Sequence, residues 1–140
     1  GGEHTVLLRS DGRVLACGRN ADGQCDIPDP GEGLSYSQVA TGDCHTVLLR
    51  CDGRVEACGE NRDGQCRIPE AGEGLSYTHV AAGGDHTVLL RSDGQVVACG
   101  RNRDGQCRIP DAGAGLRYTQ VAAGGQHTVL LRSDGRVVAC

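Results

Sequence analysis

The chain has 140 residues, 23 of them Gly and 9 Cys, with no Phe, Trp or Met and a net charge of −4 in which every basic residue is Arg. Leu, Ile and Val number 28, so one thick core filled by large aromatic side chains is excluded and many thin, similar layers are expected. The acidic surplus excludes nucleic-acid binding by counterion release, and apolar runs such as Val88-Leu89-Leu90 are too short to span a bilayer.

The first residues, Gly1-Gly2-Glu3-His4, carry no charged-then-apolar leader pattern, which favours an intracellular location. A first hairpin is predicted from Thr5 to Cys17 about Asp11-Gly12. From there the chain repeats itself. His4, His45, His86 and His127 are each 41 residues apart, as are Cys17, Cys58, Cys99 and Cys140, and Cys25, Cys66 and Cys107. Three copies of 41 follow a partial first copy, dividing the chain into 1–17, 18–58, 59–99 and 100–140.

Within 59–99, strands are predicted at Thr87–Arg91 and Gln95–Cys99 about Asp93-Gly94, and both faces of this hairpin are apolar or small. With a two-residue turn, Ser92 faces Gln95, Leu90 faces Val97 and Val88 faces Cys99. In 100–140, a Gly-, Asp- and Pro-rich loop runs from Gly100 to Gly115, with a short extended piece at Gln106–Ile109, and a third strand is expected over Leu116–Ala122. No helical periodicity persists beyond a turn. Small sheets at this period predict an all-β fold, a β-propeller or an arc of one with about 41 residues per blade. A β-solenoid is the alternative, although its coils are usually shorter.

The recurring units resemble the regulator-of-chromosome-condensation (RCC1-type) repeat. Ala82-Gly83-Gly84-Asp85-His86-Thr87, Asp93-Gly94, Gly100, Asn102 and Gly105-Gln106 carry the likeness, and it returns in every copy. The resemblance implies a propeller, seven-bladed in known members, and the short unit resembles compact bacterial relatives, such as the β-lactamase inhibitory propeller, more than the longer eukaryotic repeats. A weaker likeness in wording is to algal repeat proteins. Cys17, Cys58, Cys99 and Cys140 stand where the family often has Trp, and Cys25, Cys66 and Cys107 where it has Leu. Without Trp, the light sensing of the family's plant photoreceptor is excluded. The uniform units also lack the insertions and basic tail through which the founding exchange factor engages its GTPase and chromatin.

Equivalent histidines on neighbouring blades are too far apart to share a metal, and the resemblance makes them hydrogen-bonding residues within their blades. His79 is read as a surface variant of Gln38 and Gln120. The nine cysteines show no zinc spacing and are expected reduced, with Cys58, Cys66, Cys99 and Cys107 mostly buried. A bond between Cys17 and Cys25 across the loop stays open, whereas Cys44 and Cys51 lie over ~20 Å apart along an extended strand. Asn102 to Gln106 lacks the acidic ligands of a calcium loop and reads as a turn with Gly105 at positive φ. Because Ser, His and Asp recur in every copy, no catalytic set is singled out; no enzyme activity, cofactor or metal is expected.

The copies differ most in loop charge. Residues Gly18 to Ser35 sum to −3, Gly59 to Ser76 to −2 and Gly100 to Arg117 to +2. Such a gradient over one rim would steer a protein partner, and the candidate contact residues are Asp22, Asp26, Arg62, Arg67, Arg101, Arg103, Arg108 and Arg117. The leading functional reading is a non-catalytic scaffold for protein–protein interaction. The alternatives are a peripheral structural subunit of a larger complex, such as a photosynthetic or other organellar membrane complex, and a regulator of a small GTPase. Read as a fragment of a larger propeller, the chain is expected to leave Leu7, Leu8, Leu130 and Leu131 of its terminal hairpins partly uncovered, to be covered by another blade, another copy of this chain or a partner subunit of a larger complex.

Overall fold

A computed structural model describes residues 1–140 as eleven strands without a helix, so no helix is long and apolar enough to cross a membrane. The strands form four antiparallel sheets. The first holds β1 (His4–Leu8) and β2 (Val14–Gly18). The second orders β3 (Tyr36–Thr41), β4 (His45–Arg50) and β5 (Val55–Gly59). The third repeats this with β6 (Tyr77–Ala82), β7 (His86–Arg91) and β8 (Val96–Gly100). The fourth does so with β9 (Tyr118–Ala123), β10 (Thr128–Arg132) and β11 (Val137–Ala139). The sheets are successive blades of a β-propeller. Their first strands, β3, β6 and β9, are neighbours, and beside them Gly1, Gly42, Gly83 and Gly124 line one shallow hollow.

The core lies between blades rather than within them. Val47 and Leu49 of one blade pack with Tyr77 and Leu89 of the next, and Val88 and Leu90 pack with Tyr118 and Leu130. Each blade therefore needs apolar residues on both faces, which is why β4 and β7 are buried at five successive positions.

The hairpins correct the expected register by one residue. Leu90 pairs with Val96, Leu89 with Val97, Val88 with Ala98 and Thr87 with Cys99. The Arg91 amide donates to the Gln95 carbonyl at 2.8 Å and the Gly94 amide to the Arg91 carbonyl at 3.0 Å, so the loop has three residues, Ser92-Asp93-Gly94. Gly94 takes φ +81°, and its counterparts Gly12, Gly53 and Gly135 lie between +77° and +82°. This is a type I turn closed by a left-handed glycine rather than a two-residue turn. The change decides the faces, because Thr87 and Cys99 now sit opposite each other and point the same way.

The terminal leucines correct a second expectation. Leu7 is 56% exposed and Leu8 and Leu131 are half-buried, but Leu130 is fully buried. Neighbouring strand residues face opposite sides, so each terminal blade leaves only one face open.

Candidate functional site

The loop that leaves each blade is braced by its own side chains. Asn61 Oδ1 accepts from the Cys66 amide at 3.0 Å and Gln65 Oε1 from the Asp63 amide at 3.1 Å. Asn20 with Gln24, and Asn102 with Gln106, repeat these bonds. Gly105 has the expected positive φ, +92°. These bonds make a rigid turn in which Asn and Gln stand in for strand partners.

The same loop plugs into the following blade. The Gln65 carbonyl accepts from the Thr87 hydroxyl at 2.8 Å and from the Cys99 thiol at 3.6 Å. Because the Thr87 proton goes to that carbonyl, Oγ1 accepts from His45 Nε2–H at 3.0 Å. His4 with Thr46 and His86 with Thr128 repeat the arrangement. The histidines thus bond between blades, not within them, because the residue after each His serves the blade before it. Their rings lie close against Gly42 and Gly83, where any Cβ would come within 2.3 Å of a ring atom. Burial pushes His45 down to about 4 and also lowers His86 and His4. Nδ1 of these rings meets no carboxylate, and the partner hydroxyls are fully buried, so the pairs lack both the orienting acid and the accessible nucleophile of a hydrolytic site.

All nine cysteines are free thiols, Cys17 and Cys25 among them. Cys58, Cys66, Cys99 and Cys107 are half-buried rather than mostly buried, since each lies at the seam between loop and blade. Burial raises all four to about 11, which keeps them protonated. No three His, Cys, Asp or Glu side chains converge to hold a metal ion.

The variable side chains stand on this braced frame. Asp26, Arg67 and Arg108 occupy one equivalent position, and Ala21, Arg62 and Arg103 another; all are exposed. Arg67, Arg103 and Arg108 form no ion pair, whereas Arg62 meets Glu60 at 3.3 Å. Asp26 accepts from Asn20 at 2.7 Å, and Asp22 is half-buried in its turn. Arg101 is half-buried against Asp85 at 3.5 Å and contributes little free charge. Arg117 is separate. It lies against the Gly94 turn, at the opposite end of the blade from Arg101 and Arg103, because the loop crosses the whole blade edge before β9 begins. The expected single rim therefore divides: Arg62, Arg67, Arg103 and Arg108 are exposed on the loops that leave the blades, beside the exposed Asp63 and Asp104, and Arg117 lies at the other end.

Blade two carries a cluster that the repeat pattern obscured. Glu56, standing where other blades have Leu15 and Val97, accepts from the Tyr36 hydroxyl and from Arg50 at 3.0 Å. Burial and this bond hold the Tyr36 phenol well above its ordinary range. A lone Glu at an apolar position was its only signal in the sequence.

The family model of the regulator of chromosome condensation (RCC1) repeat matches residues 1–24, 36–65, 77–106 and 118–140. Among solved structures, human WBSCR16 is similar at a TM-score of 0.85 and 23% identity over 98% of this chain and 44% of that one. Yeast RCC1 (Prp20), solved with Kap60, is similar at 0.81 and 22% over 99% and 41%. Prp20p of Saccharomyces cerevisiae, described with its binding to Gsp1p and histones, aligns at 0.80 and 23% over 99% and 41%. The chain thus spans less than half the length of these relatives, and the likeness at such identity is one of fold. No curated protein sequence matches the chain.

Proposed function

The chain belongs to the regulator of chromosome condensation (RCC1) repeat family, and from that premise we propose that it is a non-catalytic scaffold that binds an acidic protein surface through the stripe Arg62, Arg67, Arg103 and Arg108. The observation that carries this reading is a change of sign on a fixed frame. Position 26 is Asp while its equivalents 67 and 108 are Arg, yet the Asn and Gln bonds that brace the three loops are the same. Exposed arginines on rigid loops, unpaired at Arg67, Arg103 and Arg108, present charge at little conformational cost and suit carboxylate recognition. The acidic first loop, with Asp22, Asp26, Asp29 and Glu32, sets the orientation of the partner.

The test compares partners recovered by the chain with those recovered by an Arg67→Gln, Arg103→Gln, Arg108→Gln variant at low and moderate salt. A partner lost by the variant, and lost by the parent as salt rises, supports the reading. Equal recovery by both overturns it. A nucleotide-release assay on a small GTPase, run beside it, tests the regulator alternative, and co-purification with a membrane complex tests the peripheral-subunit alternative.

A further inference from the structure

One hollow recurs three times, each time between a hairpin turn and the loop that enters the next blade. Its constant parts are a Val, an Ile-Pro pair, a Leu and a Tyr, as in Val96, Ile109, Pro110, Leu116 and Tyr118. The Tyr hydroxyl donates to the Pro carbonyl in all three, at 2.9 to 3.1 Å, and so fixes the floor. Val96, Ile109 and Leu116 are half-buried and leave apolar surface open to the hollow. The hollow under the third hairpin measures about 570 Å³ against about 320 Å³ under the second, within the range of small-ligand sites.

The three hollows differ at their lips. The loop lip has Asp29 and Glu32 in the first, Glu70 and Glu73 in the second, and Asp111 and Ala114 in the third, where Arg117 also replaces Ser35 and Ser76. Two substitutions thus move that lip by two charges in one direction, on an unchanged floor. On the facing lip Gln95 stands where the other copies have Arg13 and Arg54, so the cation has crossed from the turn to the loop.

Arg117 is held in place there. Its Cβ, Cγ and Cδ lie 2.5 to 3.1 Å from where a Cβ on Gly94 would stand. Gly94 is buried, while Gly12 and Gly53, beside Ser35 and Ser76, are only half-buried. The Arg117 stem therefore lies flat across the turn, and its charged end is exposed and forms no ion pair. The two carboxylates of the hollow are already engaged, Asp93 by Arg91 and Asp111 by the Gly113 amide at 2.6 Å.

The geometry points to this third hollow as a docking site for an acidic and apolar peptide segment of a protein partner. One large apolar side chain of the segment seats on Val96, Ile109 and Leu116, and the carboxylate of an adjacent Asp or Glu side chain pairs with Arg117. Charge complementarity selects this occupant, because Arg117 is the one free cation of the hollow and its planar fork takes a carboxylate in two parallel bonds. The site lies at the opposite end of the blade from Arg103, so it is separate from the contact proposed through the loops that leave the blades.

The probe is an end-blocked peptide with one Glu beside one Phe and an uncharged fluorophore, titrated against the full chain by fluorescence anisotropy. Blocked ends leave the Glu side chain as its sole carboxylate. Saturable binding at one site per chain is expected, weakened about fivefold by Arg117→Ser and by Ala114→Glu, each of which restores the residue of the second hollow. Replacing the Glu of the peptide by Gln weakens binding to a similar degree, and replacing it by Lys weakens it further. All these positions are exposed, and thermal melts matching the parent show that the fold persists. The Arg67→Gln, Arg103→Gln, Arg108→Gln variant is expected to bind the peptide as the parent does, which keeps this result apart from the test of the proposed function. No binding of the Glu peptide, equal binding of the Lys peptide, unchanged binding by Arg117→Ser, or loss of binding in the triple variant would each overturn the inference.

Discussion

The Thr87 hydroxyl receives a hydrogen bond from His45 and gives one to the Gln65 carbonyl, with all three residues buried. Replacing it by Val strands the His45 donor in a buried seam and leaves the Gln65 carbonyl only the weak Cys99 thiol. Thr87→Val is expected to lower unfolding free energy by about 2–4 kcal/mol, whereas Thr5→Val, at an exposed equivalent without partners, changes it by less than ~0.5 kcal/mol. Urea unfolding of both variants checks this. The same seam sets a pH dependence. His45 titrates at about 4 when folded, below its unfolded value, so acid favours the unfolded chain. Stability is expected to be level above about pH 6.5 and to fall as pH drops from there toward 4, by about 3 kcal/mol from this residue. Urea midpoints from pH 8 to 4.5 measure the slope, and His45→Gln, with no imidazole there, lessens it to what His86 and His4 contribute. The hairpin aspartates Asp52, Asp93 and Asp134 are held low by their arginines and enter only at still lower pH.

Within an element, the three-residue hairpin loop separates a backbone requirement from a packing one. Gly94 and Gly135 share nearly the same φ, +81° and +82°, but a Cβ on Gly94 would stand 2.5 Å from the Arg117 Cβ while one on Gly135 would meet nothing. Gly135→Ala is therefore expected to cost only the left-handed strain, about 1–2 kcal/mol, and Gly94→Ala distinctly more. Thermal melts of the two variants give the difference. The Asp-Gly pairs make every turn legible in the sequence but not its length, because two- and three-residue loops use the same dipeptide and differ in the closing hydrogen bond. That one residue moved Thr87 and Cys99 opposite each other, and with them the whole seam between blades.

Across the molecule, cohesion resides in joints that recur every 41 residues, and one joint is weaker. The Gln38 side chain donates to the Thr78 carbonyl at 2.9 Å and accepts from the Val80 amide at 3.3 Å, clipping β3 to β6. His79, at the equivalent place on β6, makes no such bond to β9 and reaches only its neighbour Thr78. His79→Gln is expected to restore the clip and raise unfolding free energy by about 0.5–1 kcal/mol, read as a higher urea midpoint with unchanged slope.

By itself the sequence determined the repeat, its period, the all-β class, the hairpins and the family, because each depends on local spacing: where Gly permits a left-handed turn, where apolar residues alternate, and where the pattern returns. It also located the loop charges. The tertiary structure alone decided which of those charges can act together. Arg101, Arg103 and Arg117 share one loop in the sequence, but the loop crosses the blade edge and places Arg117 at the far end beside Gly94, while Asp85 draws Arg101 into an ion pair. The role of the histidines was likewise a tertiary matter. A residue that bonds 42 positions away, as His45 does to Thr87, has its partner chosen by how one blade stacks on the next, and that stacking is a property of packed faces rather than of any local run of residues.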